Sequence, residues 1–373
     1  MVSTRSAVLS SSLSFFLITL NASMVTTALP VIGRDLGDGP GLAWVLTGYS
    51  LVFAIFLLPA GVWADRVGAR RAFMLGIGLF AAMSVVCALV GNLVVLLAAR
   101  AVQGAAAAAV LPAGLSMLNA SITDPADRAR AVGRWAAAGA VALVVGSPLG
   151  GAITTAFGWP GTFWLSVPVA LIALATAPHT PATAARSWGL RGLLGAPAVV
   201  VSSLTGFALN FSSYGAIFVV TLLLQQDLGQ SAWTTGLVFV PMTVLIIPSN
   251  LLAGRLTARV GARRILLVGQ GLMIVGLVGL AFAPAEVWQL VLWLLPIGAG
   301  AGLIAPAATT LMLNGVPAER SGLGAGLLNA ARQFGSGAAP AILGALLTVS
   351  FRLSVLLAAT VIALPAGLRE ARR

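Results

Sequence analysis

The chain has 373 residues, of which 8% are charged and 59% hydrophobic, with a mean hydropathy of +1.03. Charged residues are about 25% of a soluble globular protein, so the surface of a chain this size cannot be clothed for water and the bilayer is the solvent that fits. The net charge of +12 comes from 21 arginines and 9 acids with no lysine, and there is one cysteine (Cys87) and one histidine (His179), which excludes a Walker-type phosphate loop, a disulfide framework and a Cys/His metal centre. No nucleophile–base pair can be assembled from such a set, so neither an enzyme nor a cofactor is expected.

Apolar runs fall at 8–31, 42–63, 72–90, 93–118, 131–153 and 162–178, then at 197–224, 233–253, 264–283, 287–313, 322–347 and 351–368. A helix rising 1.5 Å per residue crosses a ~30 Å hydrocarbon core in roughly 20 residues. The expectation is therefore an all-α integral membrane protein with twelve transmembrane helices and connections of about ten residues, which leaves no room for a soluble catalytic domain. Arg5 precedes the first run in the manner of a secretory signal, but the run continues to Leu29 and Val31, longer than a signal core, and is expected to stay as the first span. The Asn-x-Ser/Thr triplets at Asn21, Asn119 and Asn210 fall within spans or on the expected inner side and are not expected to carry glycan.

The arginines lie in short clusters between apolar runs, the pattern of a topology signal rather than of a nucleic-acid surface. With the N-terminus inside, the inner segments hold 17 arginines and 5 acids, and the outer ones 2 arginines and 4 acids. Both termini are expected in the cytoplasm, in a cytoplasmic-membrane protein. The segment from Gly61 to Arg71 (GVWADRVGARR) recurs 193 residues later from Gly254 to Arg264 (GRLTARVGARR), with seven of eleven positions identical and each copy following the second span of its half. Two parallel six-helix bundles follow from the repeat, residues 1–178 and 197–373, joined by a cytoplasmic linker at 179–196.

Gly61, Asp65, Arg66, Gly68, Arg70 and Arg71 form a pattern that resembles the signature of the major facilitator superfamily between spans 2 and 3. Arg100-Ala-Val-Gln103-Gly104 resembles its fourth-span motif, and Gly146, Pro148, Gly150 and Gly151 its antiporter motif in span 5. The stretches from Asn21 through Thr26 to Pro30, from Ser321 to Gly326 and from Arg332 to Gly335 resemble the first and eleventh spans of its drug:proton antiporter branch, whose members commonly have fourteen spans. Asn21 and Thr26 stand where that branch usually has Asp and Asn, Ala106 where a second Gly is common, and the Pro of the fifth-span motif comes one place late. The two extra central spans of the branch are missing, and Ala258 replaces Asp65 in the second loop copy.

The resemblance implies the major facilitator fold and export of a small, largely apolar organic compound by alternating access, in exchange for protons. The other reading, motivated by Asn21 and Ala258, is a non-transporting relative kept for sensing or partner binding. Asp65 would dock against the start of span 11 near Ser321 and Gly322 in the outward-open state, with Arg66, Arg70 and Arg71 on lipid phosphates and nearby acids; the bland alternative is a cluster that only sets topology. Arg100 and Arg332 lie inside spans, where a charge costs about 2.5–3.5 kcal/mol and normally faces a cavity or a partner. All nine acids lie in connections, so either Arg100 is structural, bonded to carbonyls and to Asn21 or Gln103, or it meets an anionic or carbonyl-bearing substrate. By helix rise, Arg100 and Asn21 lie at similar depth, roughly 10 and 14 Å below the outer end of their spans. Asn21, Thr26, Arg100, Gln103, Asn210, Tyr214, Asn329 and Arg332 are the substrate or coupling candidates, with helix–helix hydrogen bonding as their alternative role. Gly146, Pro148, Gly150 and Gly151 are expected to serve close helix packing. The expected partners are membrane lipids, the small-molecule substrate and protons, acting on a monomer, with no metal and no nucleic acid.

Overall fold

The computed structural model describes residues 2–37, 41–122, 124–178, 196–283, 286–316, 321–347 and 351–370. Every regular element among them is helical. The order is α1 (Val2–Leu36), α2 (Trp44–Val67), α3 (Ala69–Leu89), α4 (Leu93–Ala120), α5 (Pro125–Phe157), α6 (Pro160–Trp164), α7 (Ser166–Ala175), α8 (Pro197–Leu222) with a π-turn at Leu223–Asp227, α9 (Ala232–Val238), α10 (Val240–Val260), α11 (Ala262–Phe282), α12 (Val287–Asn314), α13 (Ser321–Leu347) and α14 (Phe351–Glu370). Nine of the helical stretches among the described residues are long and apolar enough to cross a membrane, α6 with α7 and α14 supply two shorter apolar stretches, and α13 runs for 27 residues around Arg332. These are the twelve passages expected.

The side-chain distribution is that of a protein dissolved in lipid. Leu75, Val94, Leu171, Leu251 and Val268 are exposed, whereas Ser84, Arg100, Gln103, Thr162, Ser202 and Thr235 are wholly buried. In hydrocarbon, each polar group must find its partner inside the protein. Trp44, Trp164, Trp233 and Trp288 are exposed close to helix starts or ends, where an amphipathic ring suits the membrane boundary.

The chain divides into two compact units, Met1–Trp188 and Gly189–Arg373. In the first, α1 packs on α5, α4 and α7, and α4 on α2 and α3. In the second, α8 packs on α13, α12 and α14, and α12 on α10 and α11. The two units therefore repeat one packing scheme, and the repeat extends to single residues. α2 ends at Gly68 with φ 93° and ψ 134°, and α10 ends at Gly261 with φ 86° and ψ 148°. Each glycine N–H bonds back four residues, to Ala64 at 3.0 Å and Thr257 at 3.1 Å, before the next helix begins at once. A left-handed turn of this kind is strained for any residue with a Cβ, which explains why Gly survives in both loop copies.

Close approach supplies the second recurrence. A Cβ on Gly104 of α4 would collide with the Tyr49 carbonyl of α2, and one on Gly298 of α12 with the Met242 carbonyl of α10. Gly76 and Gly269 repeat the arrangement between α3 and α4 and between α11 and α12. In unit 1, Gly146 and Gly150 of the fifth-span motif sit against Ser23 and Met24 of α1; Pro148 lies between them in α5 and Gly151 is buried. Small residues let helices come into backbone contact where lipid provides no hydrophobic drive. Gly104→Val should lower the melting temperature of detergent-purified protein by an amount reflecting the about 1–3 kcal/mol of overpacking. Gly48→Ala, in open space on α2, should leave it nearly unchanged.

Candidate functional site

Arg100 lies about two turns into α4 and is 0% exposed. Its guanidinium makes no ion pair; the salt bridge between Arg130 and Asp127 is the one formed among the described residues. Neutral acceptors take the place of a carboxylate. Arg100 Nε donates to the Val45 carbonyl of α2 at 3.0 Å, and Nη1 donates to Asn21 Oδ1 of α1 and Gln103 Oε1, both at 2.7 Å. The charge lies over the Tyr49 ring, 4.1 Å from its centroid, with Phe163 at 5.9 Å, where the negative face of each ring attracts it. An arginine has five N–H donors. Three are accounted for, and Nη2 is buried with no acceptor.

The acceptors are themselves held. Asn21 Nδ2 donates to Ser166 Oγ of α7 at 3.1 Å, and the Ser166 hydroxyl donates to the Thr162 carbonyl at 3.3 Å. Gln103 Nε2 donates to Ser84 Oγ of α3 at 2.8 Å, whose hydroxyl donates to the Phe80 carbonyl at 2.8 Å. One network thus joins α1, α2, α3, α4 and α7. It also orients both amides, because Asn21 and Gln103 each turn oxygen to the cation and nitrogen to a hydroxyl.

Unit 2 lacks this centre. Gly104 matches Gly298 in packing and Tyr49 matches Met242, so Arg100 and Gln103 correspond to Leu294 and Ile297 of α12, both wholly buried. The same scheme holds apolar side chains there. The arginine of unit 2 sits on α13 instead. Arg332 Nη2 donates to the Ala305 carbonyl at 2.9 Å and to Thr309 Oγ1 at 3.2 Å, both on α12, while its Nε is buried without an acceptor. Asn329 is half-buried one turn before it, and Asn210 and Tyr214 are half-buried on α8; none of the three is a partner of Arg332.

Of the expected site residues, the structure brings Asn21, Arg100 and Gln103 together. Thr26 stays apart, its hydroxyl donating to the Ala22 carbonyl of its own helix at 2.9 Å. In the loop after α2, Gly61 is buried, Arg66 and Arg71 are exposed, and Arg70 Nε is buried without a partner. Asp65 is in the last turn of α2, and Ser321 and Gly322 open α13; the side chains of Asp65 and Ser321 and the linker residues 179–195 lie outside the described residues. Tyr49, Ser84, Phe163 and Ser166 were not anticipated. Tyr49 is one of two tyrosines and Ser84 is the one Ser or Thr in the run 72–90, whereas Ser166 shares the run 162–178 with Thr162 and Thr176.

The model of the Major Facilitator Superfamily matches residues 11–340. The multidrug resistance protein Stp of Mycobacterium tuberculosis is 29% identical, over 90% of this chain and 74% of its own length. The methylenomycin A resistance protein of Bacillus subtilis is 28% identical, over 91% and 86%. The methyl viologen resistance protein SmvA of Salmonella typhimurium is 28% identical, over 94% and 82%. A bacterial homolog of the human lysosomal transporter Spinster, solved inward-facing and occupied, superposes with a TM-score of 0.79 at 18% identity, over 98% of this chain and 96% of that one.

Asn21→Leu removes an acceptor from the buried cation and a donor from Ser166, and should cost about 1–3 kcal/mol, read as a lower melting temperature. Thr26→Val, which touches a hydroxyl serving only its own helix, should cost visibly less.

Proposed function

The chain belongs to the major facilitator superfamily and is a membrane transporter, and from that premise we propose that it exports small, largely apolar organic compounds that carry a carbonyl or an anionic oxygen. The observation that carries this reading is Arg100: a wholly buried cation with no carboxylate partner among the described residues and with Nη2 unmet, at a point where the corresponding scheme in unit 2 holds leucine. A substrate oxygen would complete the donor set of the guanidinium, and Tyr49 and Phe163 would give an aromatic or aliphatic body its apolar contact. Relatives named for antibiotic and multidrug resistance support the outward direction.

In this account Asn21 and Gln103 hold the guanidinium. Asn210, Tyr214, Asn329 and Arg332 are the contacts offered by unit 2. Residues 1–178 and 197–373 rock as halves about the linker 179–196, and the loop from Gly61 to Arg71 gates the inner side. The protein works as a monomer in the cytoplasmic membrane, with both termini inside. Proton exchange is the coupling that the antiporter resemblance supports. Asn21 cannot titrate, so the proton would be handled at the membrane edge, where Asp65 occupies the last turn of α2.

Inverted vesicles with an imposed pH gradient test the proposal against a panel of anionic, neutral and cationic compounds. Flux of oxygen-bearing anionic or neutral members, with collapse of the gradient, is the expected result. A panel in which only methyl viologen and other quaternary cations move would contradict the assignment of Arg100. Flux with the gradient intact would remove proton exchange alone.

A further inference from the structure

A groove of about 740 Å³ opens between α11 and α12 at the end where the two helices connect. Ile274, Val278, Phe282, Trp288, Leu292 and Trp293 line it. Gly279 gives it its floor, because a side chain there would collide with the Trp293 ring. From Ile274 to Ala283 the groove follows α11 for about 13 Å at 1.5 Å per residue. That is close to one leaflet's share of a ~30 Å hydrocarbon core, so its length suits one acyl chain lying along the helix.

Two polar features mark the membrane-boundary end. Arg352, near the start of α14, is exposed, makes no ion pair among the described residues, and has its guanidinium carbon 5.9 Å from the centroid of the Phe282 ring. Gln289, in the first turn of α12, lines the groove, and its side-chain oxygen is buried with no donor. The exposed carboxylate of Glu286, just before α12, accepts from the Trp288 indole N–H at 2.6 Å and makes no ion pair among the described residues. Apolar lining, an unpaired cation and an unmet acceptor thus occur together, the cation and the acceptor at headgroup level.

We infer that this groove binds an anionic glycerophospholipid with a hydroxylated headgroup, phosphatidylglycerol in type. One acyl chain lies between Val278, Phe282 and Trp293, the phosphate lies on Arg352, and a headgroup hydroxyl donates to Gln289 Oε1. The hydroxyl excludes headgroups that cannot donate, such as choline, and the free cation favours a net negative lipid over ethanolamine. The site lies wholly within unit 2 and is independent of the substrate assigned to Arg100.

Native mass spectrometry of the full-length protein, released from micelles with equal amounts of phosphatidylglycerol, phosphatidylethanolamine and phosphatidylcholine, tests the site. Phosphatidylglycerol should be retained preferentially. Arg352→Gln should lower its retention about fivefold, the worth of one basic side chain at an anionic surface, and Arg352→Lys should restore most of it. Gln289→Leu should narrow the preference over phosphatidylcholine, and Val278→Trp should fill the groove and displace the bound lipid. Arg352 is exposed, so its variants leave the bundle intact. Equal retention of the three lipids, or unchanged phosphatidylglycerol in Arg352→Gln, would overturn the assignment, as would displacement of the lipid by glycerol phosphate alone.

Discussion

Arg100 carries its positive charge two turns into a helix that packs against other helices, and among the described residues nothing of opposite charge meets it. Three neutral oxygens and two aromatic faces share the task, and α1, α2, α4 and α6 must be in register for those groups to converge. A charge held this way is weakly compensated, because hydrogen-bond acceptors and ring quadrupoles offset only part of the cost of removing an ion from water. The two unmet donors of Nη2 leave the centre incomplete, in a fold whose other half accomplishes the same packing with Leu294, Ile297 and Met242. The network is therefore not a requirement of the bundle. It is a feature added to one half of a duplicated scaffold.

The scaffold depends on glycine in two distinct ways. At Gly68 and Gly261 the backbone turns through a left-handed conformation so that consecutive helices join with no intervening loop. At Gly104 and Gly298 there is no turn, and absence of a Cβ lets two backbones touch. Both uses recur in both units at corresponding places, whereas the polar residues do not. Duplication has kept the packing and released the chemistry, so that each half presents its own arginine from a different helix, α4 in one and α13 in the other.

Much of this was legible in the sequence, for identifiable reasons. Few charges and long apolar runs require membrane helices, and the recurrence of Gly-Ala-Arg-Arg after the second span of each half exposes the repeat. Helix rise alone placed Asn21 and Arg100 at similar depth, and they meet at 2.7 Å. What stayed hidden depends on rotation about helix axes, which weak periodicity in an all-apolar helix does not encode. Ser84 and Ser166 resemble any hydroxyl that bonds its own helix, as Thr26 does, until the neighbour is known. Tyr49 and Phe163 read as ordinary apolar side chains, and only their position over the guanidinium distinguishes them.

The role proposed for the Arg100 centre is in transport rather than in folding. The variant Arg100→Leu with Gln103→Ile copies the corresponding pair of unit 2, and the direct measurement is its substrate flux in vesicles beside its melting temperature in detergent. Replacing a buried ion by apolar side chains of similar volume is often neutral or stabilising by about 1–4 kcal/mol. The prediction is a protein at least as stable as the parent that no longer moves oxygen-bearing substrates. A stable variant with unchanged flux would contradict the claim, and so would a variant that fails to fold.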